Sequence, residues 1–365
     1  MNAPRNHPSE VLPAAGEHRG TGASRGGGST HLRIPVEEGS QVAQARREAV
    51  ALGRQVGLDD NARDRLALVV TEAATNLLKH GGGGVMLVAP LGEGASVGVE
   101  VLALDRGPGM RNVAASMRDG HSTAGSPGVG LGTLSRLASD LDIHSRPDAG
   151  TVVRFEVWSA AAPSPGTRAC FGGVCVAKPG ESVSGDAWLV QIAGARQRVM
   201  VVDGLGHGPD AAAAARCAVR IALEHPSLEP VPLLEALHAA LRSTRGAAIA
   251  VAMLEPHAST GRFASIGNVR GVVHTGGEGV RSLVSHNGTV GHQVRKIQSF
   301  DFAYPAHALL MLHSDGIDTH WSIAAYPGFE RHHPAVIAAA IYRDHTRGRD
   351  DATFVVVRNE ARERR

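Results

Sequence analysis

The sequence predicts an α/β (α+β) protein in two parts, an α/β sandwich followed by a β-sandwich flanked by helices. Three observations carry this reading. Residues 32–158 set two amphipathic helical runs ahead of two strand-like runs, a glycine-rich loop and a hairpin. A Pro/Ser/Ala stretch, "SAAAPSPGTR" over 159–168, then breaks the pattern as a linker does. Beyond it the chain turns to many short β runs with two helices among them, and no repeat relates the halves. At 365 residues the chain exceeds one typical core and suits two domains, expected over 31–158 and 169–360.

Composition narrows the function classes. With 43% hydrophobic and 20% charged residues the chain reads as soluble and globular. Lys plus Arg (37) nearly balances Asp plus Glu (35), and the only basic run is the tail "RNEARERR", so no nucleic-acid partner is expected. No apolar stretch approaches the ~20 residues needed to span a bilayer, so no membrane association is expected. The start, "MNAPRNHPSEVLPAAGEHRG", lacks the apolar core of a signal peptide. Three cysteines (Cys170, Cys175, Cys217) are too few and too odd for a disulfide framework and fit a cytoplasmic protein. The Cys170 and Cys175 spacing matches no common zinc site, so both read as small buried residues.

In chain order, residues 1–30 are rich in Gly, Pro, Ser and Arg without apolar periodicity and read as a disordered leader. A strand in "HLRIPVEEGS" leads to a helix over 39–57 capped near Ser40. A second helix runs from Asp59 or Asp60 through Lys79 and ends at four glycines. On it Leu66, Val69, Val70, Ala73, Ala74, Leu77 and Leu78 recur at helical spacing, while Glu72 and Asn76 project together from one face. Taken alone, that face reads as the solvent face. Strands follow in "VMLVAPL" and "SVGVEVLAL", the second ending at Asp105. Next come a glycine-rich loop over 105–132, a short helix over 133–139, and a hairpin of "LDIHSR" with "TVVRFEVW". In the second part, helices are expected near 208–224 and 231–243.

Three separated features in the first part suit a nucleotide. Asp105 stands at a strand end ahead of Gly107 and Gly109; a carboxylate there can accept from an exocyclic amine, and glycines let backbone approach a flat ring. Gly128, Gly130 and Gly132 precede a helix whose unpaired N–H groups suit phosphate. The Asn76 side-chain oxygen is a reasonable hard ligand for Mg²⁺. Each feature alone has a bland reading, and the glycine run fails the Rossmann pattern because no strand feeds directly into it.

Their order, Glu-x₃-Asn on a helix, Asp-x-Gly-x-Gly after a strand, then a glycine loop into a helix, resembles the GHKL (Bergerat) ATP-binding fold over residues 32–158. The stretch "MRDGHSTAGSPGVGLGTLSRLASDLDIHS" is most similar to the RsbT/RsbW/SpoIIAB serine kinases. The resemblance implies Asn76 as Mg²⁺ ligand, Asp105 as adenine anchor with Gly107 and Gly109 beneath the base, and Thr151 near it. It also implies Gly128, Gly130, Leu131 and Gly132 around the phosphates of ATP, and Glu72 orienting or deprotonating the accepting hydroxyl. A histidine-kinase reading is disfavoured because no helical segment carrying a phosphoacceptor His precedes the domain.

In the second part the acids sit at strand termini. Asp186 opens a β run, Asp203 and Asp315 follow two others, and Asp350 and Asp351 precede a fourth. Any one Asp-Gly pair reads as an ordinary turn. Gathered at one rim, such carboxylates need a compensating cation, and their all-oxygen character favours Mg²⁺ or Mn²⁺. The series "SGD", "DGLGHG", "SDG" and "DDAT" resembles the SpoIIE/RsbX branch of the PPM (type 2C) serine/threonine phosphatases over about 169–358. That resemblance implies two Mn²⁺ or Mg²⁺ ions held by Asp186, Asp203, the Gly204 carbonyl, Asp315 and Asp350, with Asp351 behind them. His207 and His313 lie nearby, with turn packing as their expected role. No counterpart of the family's phosphate-binding basic residue stands out; Arg168 is nearest by position.

Together the resemblances imply a metal-dependent protein phosphatase joined to an ATP-dependent serine/threonine kinase. The implied substrate is a Ser or Thr on a STAS-type anti-sigma-factor antagonist, with a sigma factor or other regulator as a further partner. A homodimer is compatible with them. The alternative is a nucleotide-dependent binding module that phosphorylates nothing, attached to a phosphatase.

Overall fold

The computed structural model describes residues 24–27, 29–93, 96–117, 130–159, 170–276 and 279–360. In the first half, β2 (Leu32–Val36) leads into α1 (Gly39–Val56) and α2 (Asp60–Gly81). Then follow β3 (Gly84–Glu93), β4 (Ser96–Leu104), α3 (Val113–Ser116), α4 (Gly130–Leu137), β5 (Asp140–Ser145) and β6 (Thr151–Trp158). The five strands form one antiparallel sheet in the order β2-β3-β4-β6-β5. Helices α1, α2 and α4 cover one face, burying Leu66, Val69, Val70, Ala73 and Leu77 of α2 against Met86, Val88, Val101 and Phe155. Helix α2 starts because Asp59 Oδ1 accepts from Ala62 N at 2.7 Å, and it stops at Gly82 in the left-handed region (φ 69°).

The second half is a sandwich of two antiparallel sheets. Its chain order is β7 (Phe171–Val176), β8 (Asp186–Ala193), β9 (Arg196–Gly204), α5 (Pro209–Glu224), α6 (Pro230–Ala240), β10 (Ala247–Glu255) and β11 (Thr260–Ile266). It continues through β12 (Arg270–His274), β13 (Val280–Leu283), β14 (Gly288–Thr289), β15 (Gln293–Val294), β16 (Phe300–Ala303), β17 (Leu309–His313), α7 (Pro334–His345) and β18 (Ala352–Arg358). One sheet runs β1-β8-β9-β10-β11-β16, where β1 is Ser24–Gly27; the other runs β13-β12-β17-β18-β7. Between them Trp188, Val199, Val201, Phe263, Leu310, Leu312 and Val355 form the core, while α5 and α6 cover the outer face of the first sheet.

Helix α7 joins the halves. Its residues Pro334 to Arg343 are all buried, because it packs at once on β7 and β18 and on Leu87, Leu102, Leu104 and Val152 of the first sheet. The sequence predicts two helices in this half, and α7 is a third. A helix apolar on every side has no stripe to read, and "PAVIAAAIY" passes for a β run.

Other differences are local. Residues 24–27, expected within the leader, pair along the edge of β8, a backbone interaction that needs no apolar pattern. The rest of that leader, 1–23, lies outside the described residues, as do nearly all of the linker (160–169) and Arg168 with it. Helix α1 is capped at Glu38 rather than Ser40: Gln41 Oε1 accepts from Glu38 N at 3.0 Å, and Ser40 donates to the Glu38 carboxylate from the first turn. Helix α4 starts at Gly130, three residues before the expected start, and α3 interrupts the expected loop. Among the described residues no cysteine forms a disulfide. Among the described residues no helix is long and apolar enough to cross a membrane.

Candidate active sites

Strand β4 ends at Leu104 and delivers Asp105 to the rim of the first sheet. Burial pushes the Asp105 carboxyl above its ordinary range, against the pull of two backbone donors. Both donors, Gly107 N at 2.9 Å and Thr151 N at 3.1 Å, fall on Oδ1. The glycines around it are required by contact. A Cβ on Gly81, at the end of α2, would lie 2.6 Å from the Asp105 Cβ. One on Gly107 would lie 2.7 Å from the Gly81 Cα, and one on Gly109 (φ 64°) would lie 1.9 Å from the Arg146 carbonyl oxygen. Thr151 opens β6, and its Oγ1 is 2.9 Å from Ser145 Oγ, which accepts from Met110 N.

Along one face of α2, Leu68 is 56% exposed, Glu72 and Asn76 are half-buried, and Asn76 Nδ2 is buried with no protein partner. A plain solvent face would expose all three. Instead Asn76 Nδ2 is a desolvated donor that a bound acceptor would satisfy. Gly128 lies outside the described residues; Gly130, Leu131 and Gly132 form the first turn of α4, where N–H groups lack intrahelical partners.

The second half gathers its acids as the strand ends converge. Asp186 faces Asp203 across the β8–β9 ladder, and β17, which leads to Asp315, pairs with β18, which Asp350 precedes. Asp203, Asp315 and Asp350 line one cleft of about 420 Å³, with Gly206, Asn268 and Asn287. Asp186 is 5% exposed behind it, and Ser314 Oγ donates to its Oδ2 at 2.6 Å. Burial, then the charges of Asp351 and Asp315, push Asp186 up to about 7. Burial and the charges of Asp186, Asp315 and Asp350 raise Asp203 well above the carboxylate range.

Acids this frustrated fit a cation. Among the described residues no three His, Cys, Asp or Glu side chains close on a single ion. Two ions that each take one or two carboxylates and keep several waters, as Mg²⁺ does, would suit the donor set. At Gly204 only bare backbone fits, because a Cβ would lie 2.4 Å from the Ala211 carbonyl oxygen.

The remaining candidates take supporting places. Asp351 spends both oxygens on backbone donors, Lys178 N at 2.8 Å and Gly185 N at 3.0 Å, and so pins the loop ahead of β8. His207 pairs with Glu181 at 2.6 Å. His313, held near 4 by burial, stacks on Phe354 and takes a hydrogen bond from Trp321 Nε1 at 3.3 Å.

Residues 34–157 match the family described as histidine kinase-like ATPase domain, and residues 193–360 match stage II sporulation protein E. The chain joins a GHKL-like ATPase domain to a SpoIIE-type PPM phosphatase domain. The ATPase domain is similar to the serine/threonine-protein kinase RsbT of Bacillus subtilis, 26% identical over 117 residues, covering 32% of this chain and 88% of RsbT. The chain is also similar to one from a bacterial stressosome system adapted to control secondary messenger signalling (27% identity, 52% of this chain and 98% of that one, TM-score 0.49). It is also similar to RsbX in complex with magnesium (19% identity, 52% and 94%, TM-score 0.47).

Asn268 and Asn287 line the cleft without any local sequence signal for it. Asn268 stands in "SIGNVRG", where Gly-Asn between two β runs signals a turn and nothing more. Only the strand register places it beside an acid.

Proposed function

We propose that the chain is a bifunctional switch. Its ATPase domain transfers the γ-phosphoryl group of ATP to a Ser or Thr of a STAS-type anti-sigma-factor antagonist, and its SpoIIE-type domain removes it. The observation that carries this is the gathering of Asp186, Asp203, Asp315 and Asp350 at one rim with Asp186 and Asp203 held far above their ordinary range. For the kinase, support comes from the likeness to RsbT.

In the first site Asp105 Oδ2 accepts from the adenine amine, since Oδ1 is taken, with Gly107, Gly109 and Thr151 around the base. Asn76 Oδ1 would hold Mg²⁺, and the N–H groups at the start of α4 would receive the phosphates. Glu72 takes the proton of the accepting hydroxyl. In the second site Asp186, Asp203, Asp315, Asp350 and the Gly204 carbonyl would hold two Mg²⁺ or Mn²⁺ ions, which when bound supply Lewis-acid activation of water at neutral pH. Ser314 fixes Oδ2 of Asp186, and burial keeps bulk water from that carboxylate.

The test is phosphate release from a phosphorylated STAS protein in Mn²⁺ buffer. Asp203→Asn should abolish it; an unchanged rate removes the phosphatase reading. Glu72→Ala should keep ATP binding and lose transfer to the same partner. Transfer at the wild-type rate removes Glu72 as the catalytic base, and no transfer by either protein leaves a nucleotide-dependent binding module.

A further inference from the structure

The acid cleft has a second wall, and one residue on it touches the acids. Strand β12 pairs with β17 so that Arg270 faces His313, and beyond that last pair the turns carrying Asn268 and Asp315 meet. There Asn268 Nδ2 donates to Asp315 Oδ2 at 2.6 Å. A carboxylate only accepts, so the amide nitrogen is the end that faces it.

The loop that presents Asn268 is held on every side. Gly267 N donates to the His286 carbonyl oxygen at 2.8 Å, and its own carbonyl accepts from Ser285 Oγ at 2.7 Å. Its φ of 99° and a would-be Cβ only 2.4 Å from the Ala248 Cβ leave room for glycine alone. Val269, on the other side, is fully buried. Asn268 is therefore delivered to Asp315 by fixed backbone while its side chain stays exposed.

We propose that Asn268 is a positioning residue that fixes Asp315 for a divalent cation. By holding Oδ2 it leaves Oδ1 open to the ion, and as a neutral donor it adds no charge that would compete with it. Partners of this kind, one step behind a ligand, commonly tune metal affinity ~10–100-fold. The inference rests on the metal-site reading of the SpoIIE-type domain.

The test is calorimetric titration of Mn²⁺ into the full-length chain. Asn268→Ala should bind Mn²⁺ about 10-fold or more weakly, with the metal-free melting midpoint unchanged. Asn268→Ser, which keeps a donor, should recover part of the loss and serves alone if the Ala variant fails to fold. In an Asp315→Asn background, Asn268→Ala should add nothing. A wild-type chain that binds no Mn²⁺ overturns the metal-site reading together with this inference. A wild-type chain that binds while Asn268→Ala binds equally well, or a loss that persists undiminished in Asp315→Asn, overturns this inference alone.

Discussion

Arg343 Nη1 donates to the backbone carbonyl oxygen of Asp105 across 2.9 Å, tying the last turn of α7 to the strand end that anchors the first site. The same guanidinium meets Asp344 through two 2.8 Å bonds, and Arg106 donates back to the Arg343 carbonyl. Arg343→Ala removes this clamp and leaves the partly buried Asp344 short of a partner. The expected cost is about 2–4 kcal/mol in urea unfolding. A loss under 1 kcal/mol would mean that the contact carries no weight between the domains.

Arg154 is a second cation with a fixed duty. It is 1% exposed between Glu100 (2.6 Å), Asp140 (2.7 Å) and Glu156. Arg154→Met should cost roughly 3–5 kcal/mol because two buried carboxylates lose their counter-charge. Although burial pushes Glu100 up, Arg154 holds it down to about 2 from an ordinary 4.5. A depressed carboxyl stabilises the fold fully above about 4.5, and that support drains away as pH falls toward 2. Glu100→Gln should flatten stability against pH across that window, which denaturant titrations at stepped pH would register.

A histidine relay at the domain contact gives a higher window. His144 Nδ1 lies 3.3 Å from His332 Nε2, and His332 Nδ1 lies 2.9 Å from Asp142 Oδ1. Burial first, then the charges of His332, Arg343 and Arg146, lower His144 to about 4 from 6.5, with Asp142 opposing. The unfolded chain takes up the proton more readily, so this group withdraws stability as pH drops from 6.5 to 4 and is silent above. His144→Gln should remove that slope. An unaltered slope between those pH values would exclude His144 as its source.

Metal should act on the other half. In chelator, Asp203→Asn relieves like-charge repulsion and is expected to melt at or above the wild-type temperature. With Mn²⁺ at about 100 times its Kd the wild type should gain ~2.7 kcal/mol, and the variant little of it. Scanning calorimetry with and without Mn²⁺ reads both. A variant that matches the wild-type gain would remove Asp203 from the ion site.

What the sequence discloses follows from what each element does alone. Helix α2 is legible because one side is apolar at three- and four-residue steps, and the Asp105, Asp203 and Asp315 turns are legible because each ends a β run. Strand β1 and α7 are not: one pairs only through backbone, and the other is buried all round by sheets from both domains. Asn268 is invisible for a related reason. Its meaning depends on the register between β12 and β17, which no local pattern carries.

Helix α7 also decides where the chain can be divided. A cut within 159–168 would strip Leu87, Leu102, Leu104 and Val152 of their cover and present bare aliphatic sheet to water. Such a fragment is a candidate for clumping, whereas a graft of Pro334–His345 onto it would restore the missing lining.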